Sequence, residues 1–222
     1  MRTVELVAVA PLAVCALLLA VTPLVDRRRR SALRRAIVDV GRVFEAHGID
    51  YWCDFGTLLG FQREGDIILG DKDVDLSIVE TEKPRILALA AELDALGYEL
   101  TDRGGRARRL IRIYDRRTRY HVDVYPYTVD GPLLRSVLSS PQEDIPAALV
   151  ARRVDAPFLG ATIRVPADVP AVLRHRYGDE FVTPRRGDKG ATRPYSRVRS
   201  VLEDLQDNCL GIWSWLRALQ IR

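Results

Sequence analysis

The N-terminal part of the chain is almost wholly apolar. From Val4 to Val25 the run is interrupted by Glu5 and Thr22. About twenty consecutive apolar residues are needed to cross the hydrocarbon core of a bilayer. The pattern therefore predicts a membrane-spanning helix over residues 4–25. A cleaved signal peptide is the competing interpretation, but the run is long for a signal sequence and shows no small-residue cleavage pattern.

Basic residues flank the apolar run mainly on its C-terminal side. Asp26 and the arginines Arg27 to Arg30 follow the run directly, whereas Arg2 precedes it. Arginine-rich flanks tend to stay in the cytoplasm. We therefore expect residues 1–30 to form a single-pass membrane anchor with its basic flank. The rest of the chain would face the cytoplasm, or the Golgi lumen if the anchor is of a eukaryotic Golgi type.

A helix and a strand are predicted after the anchor. Residues 31–47 carry apolar side chains at helical spacing, at Leu33, Ile37, Val40 and Phe44. Gly48 is expected to end this helix as its C-cap. A strand should follow at Ile49 to Cys53, and Gly56-Thr57 predicts a turn.

Strict alternation predicts a strand over Asp73 to Val79. Apolar and polar residues alternate along this stretch: Val74, Leu76 and Ile78 alternate with Asp73, Asp75 and Ser77. Successive side chains of a strand point to opposite faces. We therefore expect Asp73 and Asp75 to project together from the face opposite the core, as two neighbouring carboxylates.

A helix and then a β-hairpin are predicted next. The helix would start at Thr81 as N-cap, with Pro84 in its first turn, and end at Gly97. Its inward-facing residues would be Ile86, Leu87, Ala90, Leu93 and Leu96. The hairpin strands would be Leu110 to Tyr114 and Tyr120 to Tyr125, joined by the charged turn Asp115 to Arg119.

Asp123 lies in the second strand of this hairpin. A valine precedes it and another follows it, so its carboxylate should lie on a polar face whose opposite face is apolar. Further on, a strand is predicted at Thr162 to Val165 and a short helix from about Ala167. Residues 183–195 predict a loop because they are rich in Arg, Gly, Pro and Thr, and residues 196–222 predict a helical tail.

Composition fits one globular domain between the two terminal segments. The chain has 222 residues, of which 47% are hydrophobic and 29% charged, so it is not of the disordered class. We assign residues 31–195 to one folded domain. The net charge of +4 comes mostly from arginine clusters, which suit phosphate.

Three cysteines are too few for a disulfide framework or a zinc site. We interpret His47, His121 and His175 as structural or surface residues because their spacing is not that of metal ligands.

Three carboxylates and a Gly-Thr pair form the candidate site. Mg²⁺ takes oxygen ligands and keeps several waters, so Asp73, Asp75 and Asp123 converging on one sheet face would suit it. Gly56 and Thr57 would let backbone N–H groups approach a phosphate closely. These residue types indicate metal-assisted phosphoryl transfer.

The stretch from Gly56 to Asp75 resembles the signature of the LicD/fukutin family, a branch of the nucleotidyltransferase-fold superfamily. Val122-Asp123-Val124 is similar to the third carboxylate strand of that family. Arg176 to Asp179, followed by Thr183-Pro184, resembles its C-terminal Tyr-Gly and Pro element. The resemblance covers about residues 35–190.

The resemblance implies an α/β (α+β) nucleotidyltransferase-like fold, with a mixed central sheet flanked by helices. It also implies a metal-dependent phosphotransferase with Mg²⁺ or Mn²⁺ as cofactor. The transferred group would be a phosphorylated alcohol, such as phosphocholine or a polyol phosphate, taken from a CDP-activated donor. The acceptor would be a glycan or a glycolipid, and no nucleic-acid partner is expected.

The resemblance further implies roles for individual residues. Asp73 and Asp75 would hold the metal, and Asp123 would be a third ligand or a base toward the acceptor hydroxyl. Substrate would be bound by Gly56, Thr57, Arg63, Asp71 and Tyr177. Of these, Arg63 would neutralise phosphate charge, and Asp71 is also a secondary candidate for metal binding.

Three alternatives stay open at this point. Nucleotidyl transfer from a nucleoside triphosphate uses the same carboxylate geometry. A non-catalytic membrane scaffold could retain the fold, and Leu69-Gly70 favours it because many family members have Pro-Trp there. A calcium loop beginning at Asp71 is the weakest alternative, since its sixth position is Leu76 where a sharp turn needs glycine.

Overall fold

The computed structural model describes residues 2–102, 110–137 and 143–183, and the side chains from residue 23 onward. Helix α1 (Arg2–Ala46) runs without a break from the predicted anchor into the domain. The four apolar positions predicted for its second half are all buried: Leu33, Ile37, Val40 and Phe44. The helix ends close to the predicted Gly48, whose φ of 60° suits a residue without a side chain.

The predicted membrane segment, residues 4–25, falls mostly on residues 2–22, whose side chains lie outside the described part. In the part of the chain that the structure describes, no helix combines the length and the apolar character needed to cross a bilayer. The membrane anchor and its orientation therefore stay predictions. The tail 196–222, and all but the first residue of the predicted loop 183–195, also lie outside the described residues.

A mixed sheet forms the centre of the domain. Five of its strands lie in the spatial order β1-β2-β5-β4-β3. Their bounds are β1 (Tyr51–Cys53), β2 (Asp73–Val79), β3 (Tyr98–Asp102), β4 (Ile111–Asp115) and β5 (His121–Asp130). β2 and β5 are parallel, and the other neighbouring pairs are antiparallel. The mixed α/β architecture predicted from the sequence is confirmed, and so are the strand at Asp73 to Val79 and the hairpin made by β4 and β5.

Further strands extend the sheet and pack beside it. The second half of β5 pairs with β6, and β6 pairs with β7. A separate hairpin of β8 and β9 packs against β1 and α1. Their bounds are β6 (Leu133–Ser136), β7 (Ile145–Pro146), β8 (Arg153–Phe158) and β9 (Ala161–Pro166). Short helix α5 (Ala147–Val150) precedes β8, and α6 (Val169–Tyr177) follows β9 and packs on the helix after β1.

Two predicted elements differ in the structure. Gly56-Thr57 is not a turn but part of the first turn of α2 (Phe55–Glu64), whose N-cap is Asp54. The long helix predicted from Thr81 to Gly97 is divided into a 3₁₀ turn at Glu80–Glu82, α3 (Lys83–Leu87) and α4 (Ala90–Ala95). The chain bends between α3 and α4, which keeps Leu89 buried and leaves the predicted core residue Leu96 52% exposed.

The two faces of the sheet have different roles. α1 packs against β2 and β5, and the apolar residues at alternating positions of the central strands are fully buried: Val74, Leu76, Ile78, Ile111, Ile113, Val122 and Val124. Because side chains alternate along a strand, the residues between them point to the opposite face. Helix α2 packs against β2 and α6, and the candidate site lies on this second face.

Candidate active site

The parallel pairing of β2 and β5 brings the candidate groups together. In this register Asp73 lies beside His121, and Asp75 lies beside Asp123. Both strands begin at these residues, so the groups occupy the N-terminal ends of the strands. The carboxylates of Asp73, Asp75 and Asp123 therefore share one face, as the alternation predicted.

Asp73, His121 and Asp123 form a group able to bind a metal ion. Each offers a ligand atom, and these atoms all lie within 4.8 Å of one another. His121 Nε2 is 3.4 Å from Asp123 Oδ1. His121, interpreted from the sequence as structural or surface, thus lies within the candidate site. The sequence contained a signal, because His121 stands two positions before Asp123 in a predicted strand and so shares its face.

The protonation states of this group fit a metal site. Burial lowers the pKa of His121, and the neighbouring carboxylates Asp123 and Asp73 offset only part of that effect. The imidazole is therefore neutral near pH 7, as a metal ligand must be. Burial raises the pKa of Asp123, against the opposing influence of His121 and Arg112. A divalent cation bound here would stabilise the ionised form of the Asp123 carboxyl, which burial disfavours.

Asp75 has a different set of partners. Its Oδ2 accepts a hydrogen bond from the Gly56 backbone N–H at 2.9 Å, and its Oδ1 accepts one from the Tyr125 hydroxyl at 3.3 Å. Its backbone N–H donates to Thr57 Oγ1 at 2.8 Å. The N–H groups of a first helical turn lack partners within the helix, and Asp75 satisfies the one at Gly56. Gly56 and Thr57 thus position Asp75, and their predicted role at the donor phosphate stays a prediction.

Carboxylates pack so closely around position 56 that only a glycine fits there. A Cβ atom at this position would lie 2.7 Å from Asp71 Oδ2 and 3.1 Å from Asp75 Oδ2. Asp71 precedes β2, and its backbone N–H donates to the carbonyl of Ile68 at 3.1 Å. The Asp71 side chain is therefore brought beside Asp75 by the bend of the chain and not by a continued strand. Asp71 adds a fourth carboxylate to the cluster.

Arg112 binds the third carboxylate of the cluster. It lies opposite Asp123 in the antiparallel pair of β4 and β5. Arg112 Nε is 2.7 Å from Asp123 Oδ1, and Arg112 Nη2 donates to Asp123 Oδ2 at 3.0 Å. The guanidinium thus faces the carboxylate with two of its nitrogens, one of which makes a hydrogen bond and the other a close ion-pair contact. The sequence indicated only an arginine cluster near this position, because the pairing of Arg112 with Asp123 depends on hairpin register.

A second buried charge, Asp54, fixes the start of α2. Its carboxylate oxygens accept hydrogen bonds from the backbone N–H of Phe55, Trp52 Nε1, Ser77 Oγ and the guanidinium of Arg176. The Asp54 and Arg176 side chains are 0% and 2% exposed, with 2.7 Å between Oδ2 and Nη2. Arg176 also lies 4.3 Å from the ring centroid of Phe55, a residue with a positive φ of 45°. Sequence reasoning missed Asp54 because α2 was not predicted.

Tyr177 and Arg63 complete the set of predicted site residues. Tyr177 ends α6 and is 37% exposed. Desolvation and then the negative charges of Asp75 and Asp54 raise the pKa of its hydroxyl, so it lies close to the cluster. Arg63 donates to the backbone carbonyls of Phe181 and Thr183. These contacts tie α2 to the segment after α6, which differs from the predicted role of Arg63 at the donor phosphate.

Comparison with known proteins places these residues in a family context. A model of the LicD/FKTN/FKRP nucleotidyltransferase domain matches residues 48–168. The ribitol 5-phosphate transferases FKRP of Homo sapiens and Mus musculus are each 30% identical over 158 residues, which is 66% of this chain and 31% of the relative. The chain thus spans 31% of the length of these curated relatives.

Solved structures give a weaker likeness. The solution structure of the antibiotic-resistance factor ANT(2'')-Ia aligns with a TM-score of 0.45 and 15% identity, over 86% of this chain and 96% of that chain. The region matched by the family model is more informative, since it contains Asp54, Asp71, Asp73, Asp75, His121 and Asp123. The chain belongs to the LicD/FKTN/FKRP family of nucleotidyltransferase domains.

Proposed function

We propose that the protein is a metal-dependent transferase that moves a phosphorylated alcohol group from a CDP-activated donor to a hydroxyl of a glycan or lipid-linked acceptor. The observation that carries the proposal is the convergence of Asp73, His121 and Asp123 within 4.8 Å, in a member of the LicD/FKTN/FKRP family. The relatives named ribitol 5-phosphate transferase support a phosphorylated polyol as the transferred group.

The ligand atoms fit a divalent cation. Metal–ligand bonds of about 2.0 to 2.2 Å bring ligands to within roughly 4 Å of each other, so the observed group needs little adjustment. Asp73, His121 and Asp123 would hold the ion, and Asp75, in register beside Asp123, would add an oxygen ligand. The imidazole favours Mn²⁺ over Mg²⁺, which prefers oxygen. A bound ion would neutralise charge on the donor phosphates.

The side chains of the cluster would also take part in the transfer reaction, in which the acceptor hydroxyl loses its proton. Transfer forms a bond between the acceptor oxygen and the reacting phosphorus, and breaks the bond from that phosphorus to the bridging oxygen, which leaves with CMP. The acceptor hydroxyl must lose its proton in this step. Asp123 would have one of two roles: the third ligand of the ion or, where Asp73, Asp75 and His121 hold the ion, the base that takes this proton.

Nucleotidyl transfer is the second candidate function. It is favoured by the family description, which is that of a nucleotidyltransferase domain. The same carboxylates would then act on the α-phosphorus of a nucleoside triphosphate, and the leaving group would be pyrophosphate. The products separate the two reactions, since one releases CMP and the other releases pyrophosphate.

The test is CMP release by the full chain with Mn²⁺ or Mg²⁺ across CDP-ribitol and CDP-choline, alongside the Asp73→Asn variant. We expect metal-dependent release that falls by about 100-fold or more in Asp73→Asn, since this removes a charged ligand of the ion that neutralises the donor phosphates. The matched control is Asp155→Asn, which changes a carboxylate that is 64% exposed on β8 and should keep full activity.

Two results would contradict the proposal. Pyrophosphate release from a nucleoside triphosphate, with no CMP from either donor, would favour nucleotidyl transfer. A folded protein that binds Mn²⁺ but releases neither product would favour the non-catalytic scaffold.

A further inference from the structure

A diphosphate donor requires cationic partners besides a metal ion, and the groups predicted for this role are engaged elsewhere. The Gly56 N–H donates to Asp75 at 2.9 Å. Arg63 donates to the carbonyls of Phe181 and Thr183. Arg176, although close to α2, is 2% exposed and paired with Asp54. Among the residues that the structure describes, Arg112 is a further cation on this face.

Arg112 borders the carboxylate cluster on the side away from α2. The sheet register aligns Asp75, Asp123 and Arg112 in one row across β2, β5 and β4. Neighbouring strands are about 4.8 Å apart, so Arg112 stands one strand beyond Asp123 and two strands beyond Asp75. A group bound above Asp73, His121 and Asp123 would lie within reach of its guanidinium.

The described contacts of Arg112 leave donor capacity toward this space. A guanidinium carries five N–H groups. Its Nε and Nη2 bind Asp123, and its Nη1 donates to the Tyr114 hydroxyl at 3.4 Å. The side chain is 18% exposed, whereas that of Asp123 is 3% exposed. Asp123 thus orients the guanidinium, and the Arg112 side chain keeps part of its surface exposed.

We propose that Arg112 is a substrate-contacting residue that binds non-bridging oxygens of the donor phosphates, with Asp123 holding its guanidinium in place. This inference rests on the proposed function for the identity of the donor. The chemistry recognised, a diphosphate beside a divalent cation, is common to a CDP-activated alcohol and a nucleoside triphosphate. Arginine suits the task because its planar fork binds phosphate with two hydrogen bonds and stays charged.

A purely structural role for Arg112 makes a different prediction. If Arg112 served only to orient Asp123 for the metal, its removal would weaken metal binding, as loss of a residue that orients a ligand commonly does by 10- to 100-fold. If Arg112 binds phosphate, its removal takes a positive charge away from beside the metal. Metal binding should then stay the same or tighten, while diphosphate binding falls.

The experiment compares the full chain with its Arg112→Gln and Arg112→Lys variants. The control is Arg116→Gln, which changes an arginine that is 51% exposed and paired with Asp94. Three quantities are measured: Mn²⁺ affinity by paramagnetic resonance, affinity for inorganic pyrophosphate at saturating Mn²⁺ by calorimetry, and turnover of CDP-ribitol.

For Arg112→Gln we expect unchanged or tighter Mn²⁺ binding and pyrophosphate binding weakened by about tenfold or more, since hydrogen bonds to charged groups are the stronger class. Arg112→Lys should keep the charge but lose the fork, and weaken pyrophosphate binding by about fivefold. If Arg112→Gln does not fold, the lysine variant decides the question. The control should match the unmodified chain in all three measurements.

Mn²⁺ binding that weakens tenfold in Arg112→Gln, or pyrophosphate binding that does not change in either variant, would overturn the proposal. The proposed function fails separately. If the unmodified chain does not turn over CDP-ribitol but its pyrophosphate binding depends on Arg112, the reaction is misassigned and the phosphate contact stands. If CDP-ribitol is turned over with an unchanged KM in Arg112→Gln, the phosphate contact is wrong and the reaction stands.

Discussion

Asp54 and Arg176 form an ion pair in which neither side chain is more than 2% exposed. On the same face of the sheet, four carboxylates lie together: Asp71, Asp73, Asp75 and Asp123; the guanidinium of Arg112 pairs with Asp123. The first group is balanced in charge by the chain itself. Among the described residues, the second group is net negative even when Lys72, between Asp71 and Asp73 in the sequence, is counted.

The difference in charge balance distinguishes a buried ion pair that stabilises the fold from a carboxylate cluster that is suited to bind a cation. A buried charge is tolerated when it is paired and its hydrogen bonds are satisfied, and the contacts of Asp54 with Phe55 N, Ser77 Oγ and Arg176 meet both conditions. Carboxylates crowded without equal positive charge destabilise the folded state. A cluster of that kind is stabilised by a cation from solution, which is what a metal-dependent site requires.

The largest expected effect comes from breaking the balanced pair. Arg176→Met leaves Asp54 as an uncompensated buried charge, and we expect the free energy of unfolding to fall by about 3 to 5 kcal/mol. Urea denaturation of the full chain would measure it. Arg174→Met, on the same helix but 57% exposed, should change stability by no more than about 0.5 kcal/mol.

A second variant tests the cause of that loss. Replacing both partners, Asp54→Asn with Arg176→Met, removes the uncompensated charge and keeps an oxygen for the Phe55 N–H, so the double variant should be more stable than Arg176→Met alone. A double variant as unstable as the single one would mean that packing, and not charge balance, is what Arg176 provides.

The next effect is stabilisation of the unbalanced cluster by metal. A ligand that binds only the folded state adds about 2.7 kcal/mol at a concentration of 100 times its Kd, so Mn²⁺ should raise the free energy of unfolding by about that amount. Asp123→Asn should abolish most of this gain, and Arg174→Met should retain it. An Mn²⁺ effect of equal size in Asp123→Asn would show that the ion binds elsewhere.

The smallest effect concerns Gly56, where the two groups of charge meet. Gly56→Ala would place a Cβ 2.7 Å from Asp71 Oδ2 and 3.1 Å from Asp75 Oδ2. Overpacking of this kind costs about 1 to 3 kcal/mol, and urea denaturation should show that loss. Gly41→Ala is the matched control, because its Cβ would lie at an ordinary 3.5 Å from the Tyr51 hydroxyl and alanine favours the helix. Equal effects in the two variants would mean that Gly56 is not there to make room for carboxylates.

Elements with strong local patterns were predicted well. The alternation over Asp73 to Val79 matches β2, and the hairpin matches β4 and the first half of β5, which runs five residues beyond the predicted end at Tyr125. Elements with weak patterns were missed, notably β3 (Tyr98–Asp102) and β8 (Arg153–Phe158), whose residues are mostly partly exposed. A strand held mainly by its neighbours lacks the local alternation that sequence reasoning requires.

The site was predicted in part for the same reason. Asp73, Asp75 and Asp123 were found because each lies on the polar face of a predicted strand. His121, Arg112 and Asp54 were not assigned, since their roles depend on partners in other elements. Gly56 and Thr57 lie beside the carboxylates, where the Gly56 N–H donates to Asp75 and Thr57 Oγ1 accepts from the Asp75 N–H.

The sequence by itself determined which side chains share a strand face, and its motifs determined the family, because strand periodicity and motif spacing are properties of neighbouring residues. Only the tertiary structure decided which of those side chains meet. The parallel register of β2 and β5 joins Asp73 to His121, and the hairpin register joins Arg112 to Asp123. These contacts unite residues distant along the chain, and their register is set by packing of the whole sheet rather than by any local pattern.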